Sequence, residues 1–136
     1  MAIIGLGMDI VELERLEAMV DRHGDRFVRR FCREGEVAPR QGKALIEHLG
    51  GLWAAKEAAL KALGTGWAER VTPTQAIVGR HASGAPALRF EGEARRRADA
   101  LGVATCHLTI THERRYAAAF VILEATASDL DPRPNR

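Results

Sequence analysis

The chain has 136 residues, 46% of them hydrophobic and 28% charged, and a formal net charge of +2. That length predicts one domain with a single modest core, and the near-neutral balance excludes the strongly basic footprint of a duplex-binding protein. The two cysteines, Cys32 and Cys106, form no Cys-x-x-Cys or Cys/His spacing, which argues against zinc and predicts a reducing, cytoplasmic setting.

In chain order, residues 2–8 form a short apolar run ending at Asp9, predicted as a buried strand and unlike a signal peptide or membrane span, since no basic lead precedes it. Leu13, Leu16, Met19 and Val20 recur at helical spacing until Gly24 stops the helix, and Asp25 suits the cap of a second short helix through Phe31. Residues 33–42, with Pro39, read as a loop or a short broken helix. A long helix is predicted from Lys43 to Leu63, closed by Gly64 and Gly66. Residues 76–80 and 86–90 read as strands joined by a turn at Gly84, and residues 91–101 as a helix carrying Arg95, Arg96 and Arg97. Cys106, Leu108 and Ile110 alternate with His107, Thr109 and Thr111 as in a half-buried strand. Residues 116–123, nearly all apolar, read as a central strand after a turn at residues 112–115. The expected domain covers residues 1–126, with 127–136 a disordered tail. The composition and this element pattern suit a small α+β domain.

The long helix is the most informative segment. Leu49, Leu52, Trp53, Lys56, Leu60 and Leu63 share one arc and alanines fill the opposite one, so the helix is predicted to be largely buried. Its charges, Lys56, Glu57 and Lys61, then carry desolvation costs and need partners, a metal or a ligand. Asp9 follows Gly5 and Gly7, whose lack of a side chain allows close backbone approach; it is either a helix N-cap or a functional acid. If Asp9 and Glu57 converge, two hard oxygen ligands without histidine or thiol favour Mg²⁺, which typically keeps water and substrate phosphate as its other ligands. Lys56 and Lys61 beside such a site suit phosphate neutralisation. Gly64 is a helix cap first, and His112 stands at a strand end. Arg15, Arg22 and Arg26 belong to an arginine-rich first quarter that suits an acidic protein partner or a phosphorylated small molecule.

Taken together, the segments 5–13, 53–66, 109–112 and 116–119 resemble the holo-(acyl-carrier-protein) synthase family of 4'-phosphopantetheinyl transferases, in order and spacing, along the chain to about Glu124. The resemblance implies a small antiparallel sheet around a long central helix. It implies transfer of the 4'-phosphopantetheine arm of coenzyme A to a serine of acyl carrier protein, with release of adenosine 3',5'-bisphosphate. It assigns Asp9 and Glu57 to Mg²⁺ and Lys61 to charge at the transferred phosphate, with Lys56 nearby. It assigns Lys43 and His112 to the nucleotide 3'-phosphate side, Gly64 and Pro86 to the coenzyme pocket, and Arg15, Arg22 and Arg26 to the carrier protein's acidic helix. Glu57, or a water it holds, would accept the serine proton. Family members are commonly trimers with sites between subunits, and the apolar strand 116–123 suits either such an interface or an internal core.

Three positions depart from the family pattern, Leu52, Ala44 and Ala85, each standing where a basic residue is usual. Two other readings compete: a non-catalytic module that binds carrier domains, and a Mg²⁺-dependent phosphohydrolase. The intact Asp9, Glu57 and Lys61 argue against the first, and the lack of a larger acidic ligand set against the second.

Overall fold

A computed structural model describes residues 1–66 and 70–126, so the expected tail lies outside the described residues. In order, the elements are β1 (Ala2–Glu12), α1 (Leu13–His23), α2 (Asp25–Val28), α3 (Gly42–Leu63), β2 (Ala76–Arg80), β3 (Pro86–Phe90), α4 (Gly92–Leu101), β4 (Val103–His112) and β5 (Tyr116–Ala125). Short 3₁₀ turns occupy Glu34–Glu36 and Pro73–Gln75. One antiparallel sheet has the order β1-β5-β4, and β2 and β3 form a separate hairpin. The expected α+β architecture, a small antiparallel sheet packed on one long helix, is the one observed.

Strand β5 is central because it is apolar on both faces. Ala117, Ala119, Val121, Leu123 and Ala125 turn inward and are buried against α3, which presents Ala54, Ala55, Ala58, Ala59 and Ala62. Small residues on both sides bring sheet and helix close. At Gly7 a Cβ would lie 1.8 Å from the carbonyl oxygen of Ala58, and at Gly5 one would lie 2.4 Å from that of Ala62. β1 therefore rests almost directly on the backbone of α3, and this contact places Asp9 beside the helix.

The expected burial of β1 is corrected. The strand runs on to Glu12, and Ile3, Leu6, Met8 and Ile10 are 57% to 62% exposed. The period of two puts glycines inward and large apolar residues outward, so an unbroken apolar run did not mean two buried faces. α2 is also shorter than expected: Asp25 is its first residue, Gly24 at φ 58° precedes it, and the helix ends at Val28. The stop at Gly64 is as expected, a left-handed cap at φ 80°. A second core of Leu16, Phe31, Cys32, Leu49 and Leu52 joins α1 to α3, and Trp53 stacks there on Phe27 at 5.9 Å and meets Phe31 edge-on at 5.0 Å.

Candidate active site

Trp53, Glu57 and Lys61 follow one another at helical spacing and form the least buried stripe of this half of α3: Trp53 and Glu57 are half-buried and the Lys61 side chain is 53% exposed. The expectation that all three helix charges are buried is corrected, because only Lys56 is. Lys61 Nζ donates to Asp9 Oδ1 at 3.0 Å and to the Met8 carbonyl oxygen at 3.1 Å. Asp9 and Glu57 line one cavity of about 720 Å³ together with Arg15, Phe27 and Trp53. The glycine contact between β1 and α3 thus joins residues distant along the chain into a group of two carboxylates, one ammonium and one guanidinium. Two hard oxygen donors in an open cavity fit Mg²⁺, an ion that retains water and substrate oxygen ligands. Among the described residues no cluster of three or more metal-binding side chains exists. Arg22, in the last turn of α1, and Arg26, in α2, are exposed on the elements flanking this cavity.

Lys56 behaves differently. Its side chain is fully buried, and Nζ donates to Glu36 Oε1 at 2.9 Å and to the carbonyl oxygens of Pro73 at 3.2 Å and Ala76 at 2.5 Å. Glu36, whose side chain is 4% exposed, also accepts hydrogen bonds from the backbone N–H of Arg33 at 2.8 Å and of Val78 at 2.9 Å. With its three ammonium protons committed inside the protein, Lys56 has none for a coenzyme. The expected coenzyme contact at Lys56 is replaced by a brace that ties the 33–40 loop and β2 to α3. Glu36 escaped the sequence reading because it lies 20 residues from its partner, in a segment without periodicity. The Lys56 charge also acts on buried Cys32, but burial dominates and pushes that thiol up to about 12.

A second group gathers on the other side of the helix. Glu47 lies 4.0 Å from Lys43 and 3.8 Å from His112 Nδ1. Glu47, His112 and Pro86 line a groove of about 500 Å³ whose walls also carry Arg40, His48 and Arg80, none of which the sequence reading singled out. The Ala38 N–H lies 3.0 Å from His48 Nε2, and the Glu36 carbonyl oxygen lies 3.1 Å from the same nitrogen. Burial holds His48 below the usual histidine range. Gly64 is not part of this group: it caps the far end of the 22-residue α3, about 30 Å from Lys43 at the usual rise per residue.

A sequence model of the 4'-phosphopantetheinyl transferase superfamily matches residues 5–121. The holo-(acyl-carrier-protein) synthase of Maridesulfovibrio salexigens is 44% identical over 122 residues, covering 90% of this chain and 98% of that protein. That of Halorhodospira halophila is 48% identical over 122 residues, covering 89% and 97%. Among solved structures, the Neisseria meningitidis holo-(acyl-carrier-protein) synthase superposes with a TM-score of 0.81 at 30% identity, covering 90% of this chain and 99% of that one. The Helicobacter pylori enzyme in complex with coenzyme A superposes with a TM-score of 0.76 at 26% identity, covering 88% and 99%. With near full-length relatives that share its fold and its central helix, the chain belongs to the 4'-phosphopantetheinyl transferase superfamily, among the holo-(acyl-carrier-protein) synthases.

Proposed function

We propose that the chain transfers the 4'-phosphopantetheine group of coenzyme A to a serine hydroxyl of apo acyl carrier protein, with Mg²⁺, and releases adenosine 3',5'-bisphosphate. The observation that carries this reading is the meeting of Asp9 and Glu57 in one cavity with Lys61 bonded to Asp9. Asp9 and Glu57 are the residues that would hold Mg²⁺, whose chemistry there is to neutralise and align the diphosphate oxygens. Lys61 offsets the negative charge that builds at the transferred phosphate. The serine oxygen forms the new phosphorus–oxygen bond as the bond to the nucleotide phosphate breaks. The serine proton goes to Glu57 or to a water it holds, and adenosine 3',5'-bisphosphate leaves as an anion.

Arg15 at the mouth of the cavity, with Arg22 and Arg26 beyond it, supplies a positive face for the acidic helix of the carrier protein. Lys43, Pro86 and His112 serve the nucleotide end of the coenzyme, and Gly64 serves the pocket at the opposite end of α3. That separation favours a homotrimer in which one copy contributes the Asp9 end and its neighbour the His112 end. The outer face of β1 supports the same assembly: exposed Leu6 and Met8 pair with Ile122 and Phe120 of β5, making a continuous apolar surface of the kind that seals interfaces. The chain acts as a single domain over residues 1–126, in the cytoplasm; among the described residues no helix is long and apolar enough to cross a membrane.

The test is mass spectrometry of apo acyl carrier protein mixed with the chain, coenzyme A and Mg²⁺. A pantetheine-sized mass gain that EDTA abolishes supports the reading, and an unchanged carrier protein rejects it. Sedimentation of the chain with and without Leu6→Asp tests the trimer: three copies for the parent and one for the variant are expected.

A further inference from the structure

The last turn of α3 carries Lys61, and it is held shut from outside the helix. A helix leaves its last four carbonyl oxygens beyond the reach of its own ladder. The Gly64 N–H donates to those of Leu60 and Lys61, and the Thr65 and Gly66 N–H groups make longer bonds to Leu60, each 3.4 Å. The Leu63 carbonyl oxygen is served by another element: Arg97 Nε, on α4, donates to it at 3.1 Å. Arg97 differs in this from its two neighbours. Arg95 pairs with Asp99 at 2.8 Å and Arg96 with Glu93, both within α4. Arg97 is half-buried and, among the described residues, forms no ion pair. Buried Ala94 and Ala98 share one core cluster with Leu60 and Leu63, and small residues there let α4 lie close to the end of α3. The Arg97 guanidinium thus lies against the Gly64 turn, with Nη2 3.7 Å from the position a Gly64 Cβ would take. A cation at that point opposes the negative end of the α3 dipole. The hold matters because helix ends fray and Lys61 stands in this turn. Its side chain is 53% exposed, and its ammonium is held by hydrogen bonds to Asp9 Oδ1 and the Met8 carbonyl oxygen. Those bonds keep their geometry only while the backbone beneath Lys61 stays in place.

We propose that Arg97 is a positioning residue for the transfer: by closing the Leu63 end of α3 it holds the Lys61 ammonium against Asp9. This deepens the transferase reading and rests on it for the reaction that Lys61 serves. The experiment compares kcat for the parent, Arg97→Leu, Lys61→Met and the double variant, and follows the Lys61 ammonium resonance by NMR in the parent and in Arg97→Leu. Arg97→Leu should lower kcat about tenfold or more, since a misplacement of about 1 Å can cost about 10²-fold. Added to Lys61→Met, the same change should cost less than about twofold, because no ammonium remains to be misplaced. The resonance, protected in the parent by the bonds to Asp9 and Met8, should be lost to exchange with water in Arg97→Leu. A role confined to folding stability would leave the resonance in place and act alike in both backgrounds. Equal kcat losses in the two backgrounds, no loss in either, or an unchanged resonance in Arg97→Leu would overturn the proposal. Should Arg97→Leu fail to fold, Arg97→Lys carries the same test: it keeps the charge without the planar fork, and a loss of about threefold is expected only where Lys61 is present. The NMR arm needs no turnover, so a chain that loses the resonance as expected but never modifies the carrier protein rejects the transferase reading alone. A chain that transfers and keeps the resonance in Arg97→Leu rejects the positioning role alone.

Discussion

Lys56 and Lys61 belong to the same helix, and the structure uses them in opposite ways. Lys56 is fully buried, clamped by Glu36 and two carbonyl oxygens, and it organises the 33–40 loop and β2. The Lys61 side chain is 53% exposed and bonds Asp9 and the neighbouring Met8 carbonyl, so its charge can act on a ligand. What separates them is the environment of the ammonium group. A buried charge costs several kcal/mol unless the protein satisfies it completely, and complete satisfaction leaves nothing for catalysis. A lysine on the wet stripe keeps its chemistry because water and a ligand can compete for it.

The sharpest way to break this contrast is at the wet stripe. Glu57→Gln should lower transfer by at least about 10³-fold, and Lys61→Met by about 10²- to 10³-fold, with circular dichroism unchanged in both. Activity retained in Glu57→Gln would remove the metal-ligand role. At the buried lysine the loss should appear in stability first. Lys56→Met leaves the Glu36 carboxylate buried and unpaired, at a cost of about 3–5 kcal/mol by urea unfolding, and the double variant Lys56→Met with Glu36→Leu should recover most of it. Equal stability of the single variant and the parent would mean that the pair is no brace.

A smaller effect tests the close approach that holds Asp9 in place. The methyl of Gly7→Ala would fall 1.8 Å from the Ala58 carbonyl oxygen, which is backbone and cannot yield cheaply. About 3 kcal/mol of stability should be lost, with a reduced kcat as Asp9 shifts. The smallest expected effect is at the loop. Burial lowers the His48 pKa in the folded state below its ordinary 6.5, so the unfolded chain binds more protons between those values. The stability that His48 contributes is present above about 6.5 and is lost as the pH falls from there through the lower folded-state pKa. A urea midpoint that drops between pH 7 and pH 5.5 in the parent, and drops less in His48→Gln, would show it.

Much of the fold was legible because its signals are local. The span of α3 and its glycine stop, the alternation in β4 and the double-sided apolarity of β5 each follow from side-chain period or turn chemistry within one segment. β1 was legible as a strand but not in its exposure: residues 2–8 are apolar throughout, and only the register with β5 decides which of them face the helix. The site was readable in part. Asp9, Glu57 and Lys61 stood out as charges in apolar or alanine-rich surroundings. Glu36, Arg40, His48 and Arg80 lie in a loop and a hairpin, where polar residues are ordinary and no periodicity marks one as inward.

The amino-acid order by itself determined the family, the long helix, the central strand and the pair of acids, because short-range period and a specific set of spacings encode them. Only the tertiary structure decided which lysine is spent inside the protein and which stays in water, and which cations share a groove with His48. Those outcomes depend on desolvation and on contacts between segments distant along the chain, and neither is written in any one segment.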